Sequence, residues 1–248
     1  MVINMGLRRI LVCEDEDAIR DFVVIHLKRS GYDVFDVPSG DLAIRAWERG
    51  MRFDVAILDI MMPGTDGKEV CRYLRQHSAS IGIIMLSAKS QEMDKVSCLM
   101  IGADDYVTKP FSPSELVARV DAVYRRVSMA RTENDASADV SDGPFLLDSK
   151  SHTIYKNGEI LDLTQVEFHI LEYFIRHSGS AIDRETLLRR IWGDGYYGDE
   201  KIVDVNIRRL RMKIEENPSD PAYIRTIWGY GYIWGKEETE EKEPKEKP

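Results

Sequence analysis

Carboxylates follow two apolar runs at the points where those runs end. The stretch VAILDIMMPG, residues 55–64, turns from apolar residues to Asp59 and then reaches proline and glycine. The earlier run RILVC is followed by Glu14 and Asp15. If both runs are strands of one parallel sheet, these side chains converge at the carboxyl edge of that sheet. Three converging carboxylates repel one another, and an all-oxygen site of this kind suits Mg²⁺. The predicted chemistry is phosphoryl transfer to a carboxylate nucleophile.

Two further polar groups follow later apolar runs. Ser87 ends GIIMLS, and Lys109 follows DDYVT. A hydroxyl and an ammonium at the same edge would each hold one phosphoryl oxygen, and positioning with charge neutralisation is most of what this chemistry requires. Asp59 taken alone has a simpler alternative, because acidic residues often follow strands where a loop is exposed to solvent. The joint pattern at successive strand ends favours a phosphoryl site.

The elements that position these groups form a regular alternation. Residues 8–126 contain five short apolar runs separated by amphipathic stretches of the length of helices. This order predicts an α/β domain over residues 7–127, with a five-stranded parallel sheet and helices on both faces. Ser112-Pro113-Ser114-Glu115 reads as a capping box that opens the last helix.

The second half of the chain has a different pattern. Residues 128–144 lack periodicity and predict a flexible linker. Residues 145–235 combine short strand-like runs, three helical patterns and a final hairpin, which predicts an α+β domain. The tail 236–248 has no apolar content and is expected to be disordered.

Composition excludes several classes of protein. The net charge of −9 over 248 residues argues against a chain that coats nucleic acid along its whole length. No apolar run approaches the roughly 18 residues of a membrane span, and the N-terminus shows no signal segment. The three cysteines are far apart and form no CxxC pair, so we expect reduced thiols and a cytoplasmic protein.

A basic helix is predicted near the C-terminus. Val203, Ile207, Leu210 and Ile214 form its core-facing stripe. Residues 201–213 carry a net charge of +4. A basic, outward-facing helix fits the DNA major groove, and a solvated surface remains the alternative. The positions expected to face away from the core are Val205, Arg208, Arg209 and Met212.

Residues 8–126 resemble the receiver domain of bacterial two-component response regulators, which has a flavodoxin-like (βα)5 fold. The matching stretches are ILVCEDE, DVAILDIMMPGTDG, IIMLSAK and GADDYVTKPF. The resemblance implies that Asp59 accepts phosphate from a sensor histidine kinase and that Lys109 precedes a cis proline. It implies switch roles for Ser87 and Tyr106. The implied Mg²⁺ ligands are Glu14, Asp15, Asp59 and the backbone carbonyl of Met61.

An aspartyl-phosphate phosphatase is the enzymatic alternative. Phosphatases of the haloacid-dehalogenase type place a second aspartate two residues after the nucleophile as a general acid. This position is Met61 here, which cannot transfer a proton. We therefore expect a protein that assists only its own phosphorylation and dephosphorylation, and not a turnover enzyme.

The second domain resembles the winged-helix effector of the OmpR/PhoB family, through LTQVEFHILEYF, LLRRIWG, VDVNIRRLRMKI and YIRTIWGYGYIW. The resemblance implies binding to promoter DNA; a winged helix that binds protein is the alternative. Trp228 departs from the family, because its position in the wing often holds a minor-groove arginine, and Arg225 is a candidate substitute. The implied DNA-contacting residues are Arg184, Lys201, Val205, Asn206, Arg208, Arg209, Arg211, Thr226 and Trp228.

The family also implies a homodimer of phosphorylated receivers across the fourth helix, fifth strand and fifth helix. The implied intersubunit pairs are Lys95–Glu115, Asp105–Arg119 and Asp104–Arg126. The apolar centre would be Val96, Leu99 and Ala118. A solvated surface is the alternative, because exposed ion pairs contribute only about 0–1 kcal/mol. In relatives the loop at 193–200 can touch RNA polymerase, which makes the polymerase a candidate partner.

Overall fold

The computed structural model describes residues 8–88, 92–132, 138–194, 196 and 199–235, with the backbone alone for 92–95 and 129–132. The N-terminal domain alternates strands and helices throughout. Its elements are β1 (Arg9–Cys13), α1 (Asp17–Arg29), β2 (Asp33–Val37), α2 (Gly40–Glu48), β3 (Val55–Asp59), α3 (Gly67–His77), β4 (Gly82–Ala88), α4 (Glu92–Ile101), β5 (Asp105–Lys109) and α5 (Pro113–Thr132).

The five strands form one parallel sheet in the order β2-β1-β3-β4-β5. Every residue of β3 is buried, as expected for a central strand covered on both faces. Ile57 faces α1 and α5 in one apolar cluster, while Leu58 faces α2, α3 and α4 in the other. The predicted (βα)5 fold is confirmed.

The C-terminal domain is a winged helix, also as predicted. It holds a four-stranded antiparallel sheet in the order β6-β7-β8-β9, three helices, and a three-stranded sheet in the order β10-β12-β11. Its elements are β6 (Val140–Asp142), β7 (Phe145–Asp148), β8 (Thr153–Lys156), β9 (Glu159–Ile160), α6 (Gln165–Arg176), β10 (Ala181–Asp183), α7 (Arg184–Trp192), α8 (Lys201–Ile214), β11 (Ile224–Ile227) and β12 (Gly231–Trp234).

The junction between the domains differs from the predicted linker at 128–144. Helix α5 continues to Thr132, and Val140 pairs with Leu147 at the edge of the four-stranded sheet. Only residues 133–137 of the predicted linker lie outside the described residues. The lack of periodicity misled the prediction, because a helix end and an edge strand need no apolar stripe. The predicted disordered tail, 236–248, lies outside the described residues.

Two further findings bear on the expectations from composition. The three cysteines are free and buried, and burial raises the pKa of Cys13 to about 12 and that of Cys71 to about 11. Among the described residues, no helix combines the length and the apolar character that a membrane span needs.

Candidate functional site: an acidic rim and a covered receiver face

Three carboxylates meet at the carboxyl edge of the parallel sheet. Glu14 and Asp59 are buried and Asp15 is half-buried. One oxygen from each lies within 4.8 Å of the others. We call Glu14, Asp15 and Asp59 the acidic rim.

Strand register explains the convergence of the acidic rim. Cys13 pairs with Leu58 in the parallel sheet, so the residues that follow each strand lie side by side. Helix α3 begins directly behind Asp59, and a Cβ at Gly67 would lie 2.0 Å from the carbonyl oxygen of Asp59. Only glycine allows this approach, so the backbone behind the rim depends on it.

The ammonium of Lys109 faces the acidic rim. Lys109 Nζ lies 2.8 Å from Glu14 Oε2 and 3.1 Å from Asp59 Oδ2, and the Lys109–Pro110 peptide is cis, as the resemblance implied. Burial raises the pKa of both Glu14 and Asp59, and Lys109 opposes that rise only in part. The pKa of Lys109 is itself raised, because Glu14 and Asp59 outweigh the effect of its burial. When ionised, the three carboxylates carry more negative charge than Lys109 balances.

The acidic rim fits a hard divalent cation. Its donors are all oxygens, its ligand atoms are close together, and a net negative charge remains after Lys109 is counted. A cleft of about 610 Å³, bordered by Asp15, Met61 and Asp66, opens beside it. The side chain of Met61 is 64% exposed. The ligand role of the Met61 carbonyl stays a prediction.

The two predicted switch residues lie on β4 and β5. Ser87 is 1% exposed and follows Leu86, the partner of Asp59 in the sheet; its hydroxyl donates to the carbonyl of Ala88 at 3.2 Å. Tyr106 is also buried. Burial raises its pKa to about 12, and the charge of Asp199, between α7 and α8, adds to the rise. Tyr106 thus lies beside the effector domain, and both switch roles stay predictions.

The effector domain packs directly on the receiver face formed by α4, β5 and α5. Helix α8 lies against α4. Trp192 Nε1 donates to the Asp104 carbonyl at 3.2 Å, and the Tyr196 hydroxyl donates to Asp105 Oδ1 at 2.9 Å. Arg209 Nη1 donates to the Ala103 carbonyl at 3.3 Å. We call this contact the domain interface.

Three of the predicted dimer residues, Asp104, Asp105 and Arg126, contact the effector at the domain interface. Asp105 and Arg119 form an ion pair within the chain, at 3.2 Å. Asp104 pairs instead with Arg75, and Arg126 Nη1 donates to the Ile191 carbonyl at 2.8 Å.

Arg119 also pairs with Glu115, at 3.1 Å. The residues predicted for the apolar centre of the dimer differ in burial: Leu99 is buried, while Val96 and Ala118 are exposed. The side chain of Lys95 lies outside the described residues. The intersubunit pairs therefore remain untested predictions.

The helix predicted to read DNA is only partly exposed. The expectation that Val205 and Arg209 face solvent is wrong for this structure, since they are 7% and 6% exposed. Asn206 is fully buried, and its side-chain nitrogen donates to the Ile202 carbonyl at 2.8 Å. The physical reason is that α8 packs a second face against α4, which a helical wheel of α8 alone cannot indicate.

The remaining predicted DNA contacts fall into two groups. Lys201, Arg208 and Trp228 are exposed, the last at 91%. Arg211 donates to Thr226 Oγ1 at 2.8 Å and to the Ile224 carbonyl.

Arg184 pairs with Asp204 at 2.8 Å. Arg184 and Arg211 therefore each have a partner within the chain. Each must exchange or share this partner to contact a DNA phosphate.

Sequence reasoning missed the residues that hold the two domains together. Trp192 and Tyr196 contact receiver residues that are distant in the chain, and no local pattern indicates such partners. Glu167 was missed as well; it is fully buried and pairs with Arg209 at 2.8 Å and Lys213 at 2.7 Å. The sequence TQVE does contain a signal, because Thr164 and Glu167 form a capping box.

Comparisons with known proteins agree with this architecture. Residues 10–121 match the family described as "Response regulator receiver domain", and residues 158–234 match "Transcriptional regulatory protein, C terminal". The chain is 42% identical to the sensory transduction protein RegX3 of Mycolicibacterium smegmatis, over 90% of this chain and 97% of the relative.

Two solved structures are similar to this chain, and the first supports the same fold. A RitR mutant, C128S, is 25% identical and superposes with a TM-score of 0.74, covering 92% of this chain and 99% of RitR. DrrB of Thermotoga maritima, described as an OmpR/PhoB homologue, is 31% identical over 93% of this chain and all of its own, with a TM-score of 0.49.

Proposed function

Because the chain belongs to the OmpR/PhoB family of response regulators, we propose that it is a transcription regulator whose DNA binding is switched by phosphorylation of Asp59. The observation that carries the proposal is the acidic rim with Lys109 beside it. Asp59 is the rim carboxylate that ends a central strand. A sensor histidine kinase is the proposed phosphate donor.

The chemistry is a transfer between two proteins. An oxygen of Asp59 attacks the phosphorus of a phosphohistidine, the P–N bond breaks, and its electron pair stays on the imidazole. Mg²⁺, held by Glu14, Asp15 and Asp59, would supply charge neutralisation for the incoming phosphoryl group. Lys109 Nζ, 3.1 Å from Asp59, is placed to hold a phosphoryl oxygen.

Release of the domain interface is the proposed output. A dimer across α4, β5 and α5 needs a face that Trp192 and Tyr196 cover in this arrangement. The receiver dimer and the docked effector are therefore mutually exclusive on the same surface. Phosphorylation would favour the dimer by repacking Ser87 and Tyr106, and Tyr106 lies beside the effector at Asp199.

DNA binding follows from release of α8. Arg209 contacts Ala103 of the receiver while the domains are docked, whereas Lys201 and Arg208 are already exposed. A dimer would present two such helices to repeated half-sites, which raises affinity through effective concentration. RNA polymerase remains a candidate partner through the loop at 193–200.

Two further parts of the proposal concern turnover and location. Met61 lies where a phosphatase would need a general acid, so we propose that the protein turns over no external substrate. We also propose a cytoplasmic location, where a regulator of promoters would meet both its kinase and its DNA.

The test selects DNA from a pool of random duplexes, with and without acetyl phosphate and Mg²⁺. Phosphorylation should tighten binding to the selected duplex at least about tenfold, and Asp59→Asn should not respond. Arg208→Ala should weaken binding by about 1–3 kcal/mol. Arg45→Ala, at an exposed position of α2, is the matched control and should leave affinity unchanged.

Two results would contradict this function. Equal affinity with and without phosphorylation would remove the switch. Affinity that ignores Arg208→Ala and shows no steep dependence on salt would instead favour an effector that binds protein.

A further inference from the structure

A second charged site lies between the two domains, away from the acidic rim. It is a cavity of about 290 Å³ between α5 of the receiver and α6 and α7 of the effector. Four arginines and one histidine line it, with one carboxylate. The charged and titratable lining residues are Arg125, Arg126, Arg176, Arg190, His169 and Glu172. We call this cavity the cationic pocket.

The carboxylate of the cationic pocket is already engaged. Glu172 accepts a hydrogen bond from Arg176 at 3.1 Å, and His169 Nδ1 lies 3.5 Å from its other oxygen. Among the described residues, no ion pair within 4 Å involves Arg125, Arg126 or Arg190. With a neutral histidine the pocket keeps a net charge of about +3.

The burial of Arg126 makes the excess positive charge of the pocket energetically unfavourable. It is 4% exposed, and Nη1 donates to the Ile191 carbonyl at 2.8 Å. Its Nη2 is buried without a hydrogen-bond partner among the described residues, and so is Nε2 of His169. The nearby carboxylates of Asp104 and Asp105 are held by other arginines. Arg126 therefore has no direct ion pair, and burial lowers its pKa despite the attraction of Asp104 and Asp105, so an anion in the pocket would stabilise its charge.

We propose that the cationic pocket binds a compact anion with two linked phosphate groups. The cavity is too small for most drug-sized ligands but has room for a diphosphate. Planar guanidinium groups bind phosphate oxygens in bidentate fashion, which favours phosphate over simple halide ions. The diphosphate is either inorganic pyrophosphate or the phosphate end of a nucleotide.

The location gives such a ligand a regulatory consequence. Arg125 and Arg126 belong to the receiver, while Arg176 and Arg190 belong to the effector. A ligand held by both sets binds the docked arrangement more tightly than the open one. It therefore stabilises the domain interface by linkage and opposes release of α8.

The test is calorimetric titration of the full chain with inorganic pyrophosphate at low ionic strength, in the presence of EDTA. We expect one site per chain. Arg125→Gln and Arg190→Gln should each weaken binding about tenfold. Arg189→Gln is the matched control, because this neighbour of Arg190 lies outside the pocket. Asp59→Asn should bind as well as the unmodified chain, so failure of the proposed phosphorylation switch would leave this result intact.

Further titrations with ADP and with orthophosphate identify the source of the phosphates. Tighter binding of ADP assigns the pocket to a nucleotide, and equal or tighter binding of pyrophosphate assigns it to the free anion. Hydrogen exchange in α7 should slow when pyrophosphate binds. Absence of binding at millimolar pyrophosphate, or equal losses in Arg189→Gln and Arg190→Gln, would overturn the proposal.

Discussion

The acidic rim and the site around Glu167 are both buried clusters of charge, and they are balanced in opposite ways. In the rim, three carboxylates share the ammonium of Lys109. Around Glu167, one carboxylate has two cations, Arg209 and Lys213. The rim has too little positive charge within the protein, whereas Glu167 has more than enough.

The pKa values follow this difference. Burial raises the pKa of Glu14 and Asp59, and Lys109 only partly reverses the effect. Burial would also raise the pKa of Glu167, but Arg209 and Lys213 outweigh it, and the result is a lowered pKa. An uncompensated cluster points to a site completed by an external cation, and a compensated one points to a structural role.

The largest predicted effect tests the structural role of Glu167. Glu167→Gln leaves Arg209 and Lys213 without their buried counter-charge and should destabilise the effector by about 3 kcal/mol at pH 7. Because the folded pKa of Glu167 is lowered, its contribution is present above the unfolded value of about 4.3 and is lost as pH falls through the folded value.

Urea unfolding at pH 7 and at pH 3.5 measures this effect. The difference between the two proteins should shrink at the lower pH. Glu185→Gln, at an exposed position of α7, is the control. A loss that is the same for both variants would mean that Glu167 stabilises nothing through its charge.

The next effect concerns the cation proposed for the acidic rim. Mg²⁺ at about ten times its dissociation constant should stabilise the receiver by about 1.4 kcal/mol at pH 7, because it binds only the folded rim. Protons compete for Glu14 and Asp59, whose folded pKa values are raised, so the gain should vanish in acid. Thermal unfolding in MgCl2 and in KCl of equal ionic strength measures the gain. Equal melting temperatures in both salts would contradict a cation site.

A smaller effect is expected from neutralising one rim carboxylate. The raised pKa of Glu14 means that the folded state binds this proton more tightly than the unfolded state, so charged Glu14 costs stability as pH rises above its unfolded value. Without Mg²⁺, Glu14→Gln should therefore gain about 1 kcal/mol at pH 7, a typical size for a single substitution. Urea unfolding with EDTA checks the sign, and a loss would show that Lys109 already balances the rim.

The smallest effect concerns the domain interface that connects the two sites. Tyr196→Phe removes the hydroxyl that donates to Asp105, which should weaken docking by about 1 kcal/mol. Affinity of the unphosphorylated chain for DNA should then rise about fivefold, as measured by fluorescence anisotropy. Tyr155→Phe, on β8, is the control. Unchanged DNA affinity in Tyr196→Phe would show that docking of the effector on the receiver does not limit DNA binding.

The acidic rim could be predicted from the sequence because its information is local. Glu14, Asp15 and Asp59 each end or directly follow a buried strand, and parallel strands deliver such residues to one edge whatever the rest of the chain does. The same holds for Ser87 and Lys109. The five-stranded fold followed from the same alternation.

The surroundings of α8 could not be predicted, because its partners are distant in the chain. The helical pattern placed Ile207 and Leu210 in the core, and both are buried. It placed Arg209 in solvent, whereas Arg209 donates to the Ala103 carbonyl, more than a hundred residues earlier. A helical wheel contains no information about partners outside the helix. A basic side chain on an outward position is equally compatible with DNA, with Glu167 and with another domain.

Intact-protein mass spectrometry after incubation with acetyl phosphate tests the central claim most directly. With Mg²⁺, the chain should gain the mass of one phosphoryl group, and it should gain none in EDTA or as Asp59→Asn. An equal gain in EDTA, or in Asp59→Asn, would show that the acidic rim is not the phosphoacceptor site.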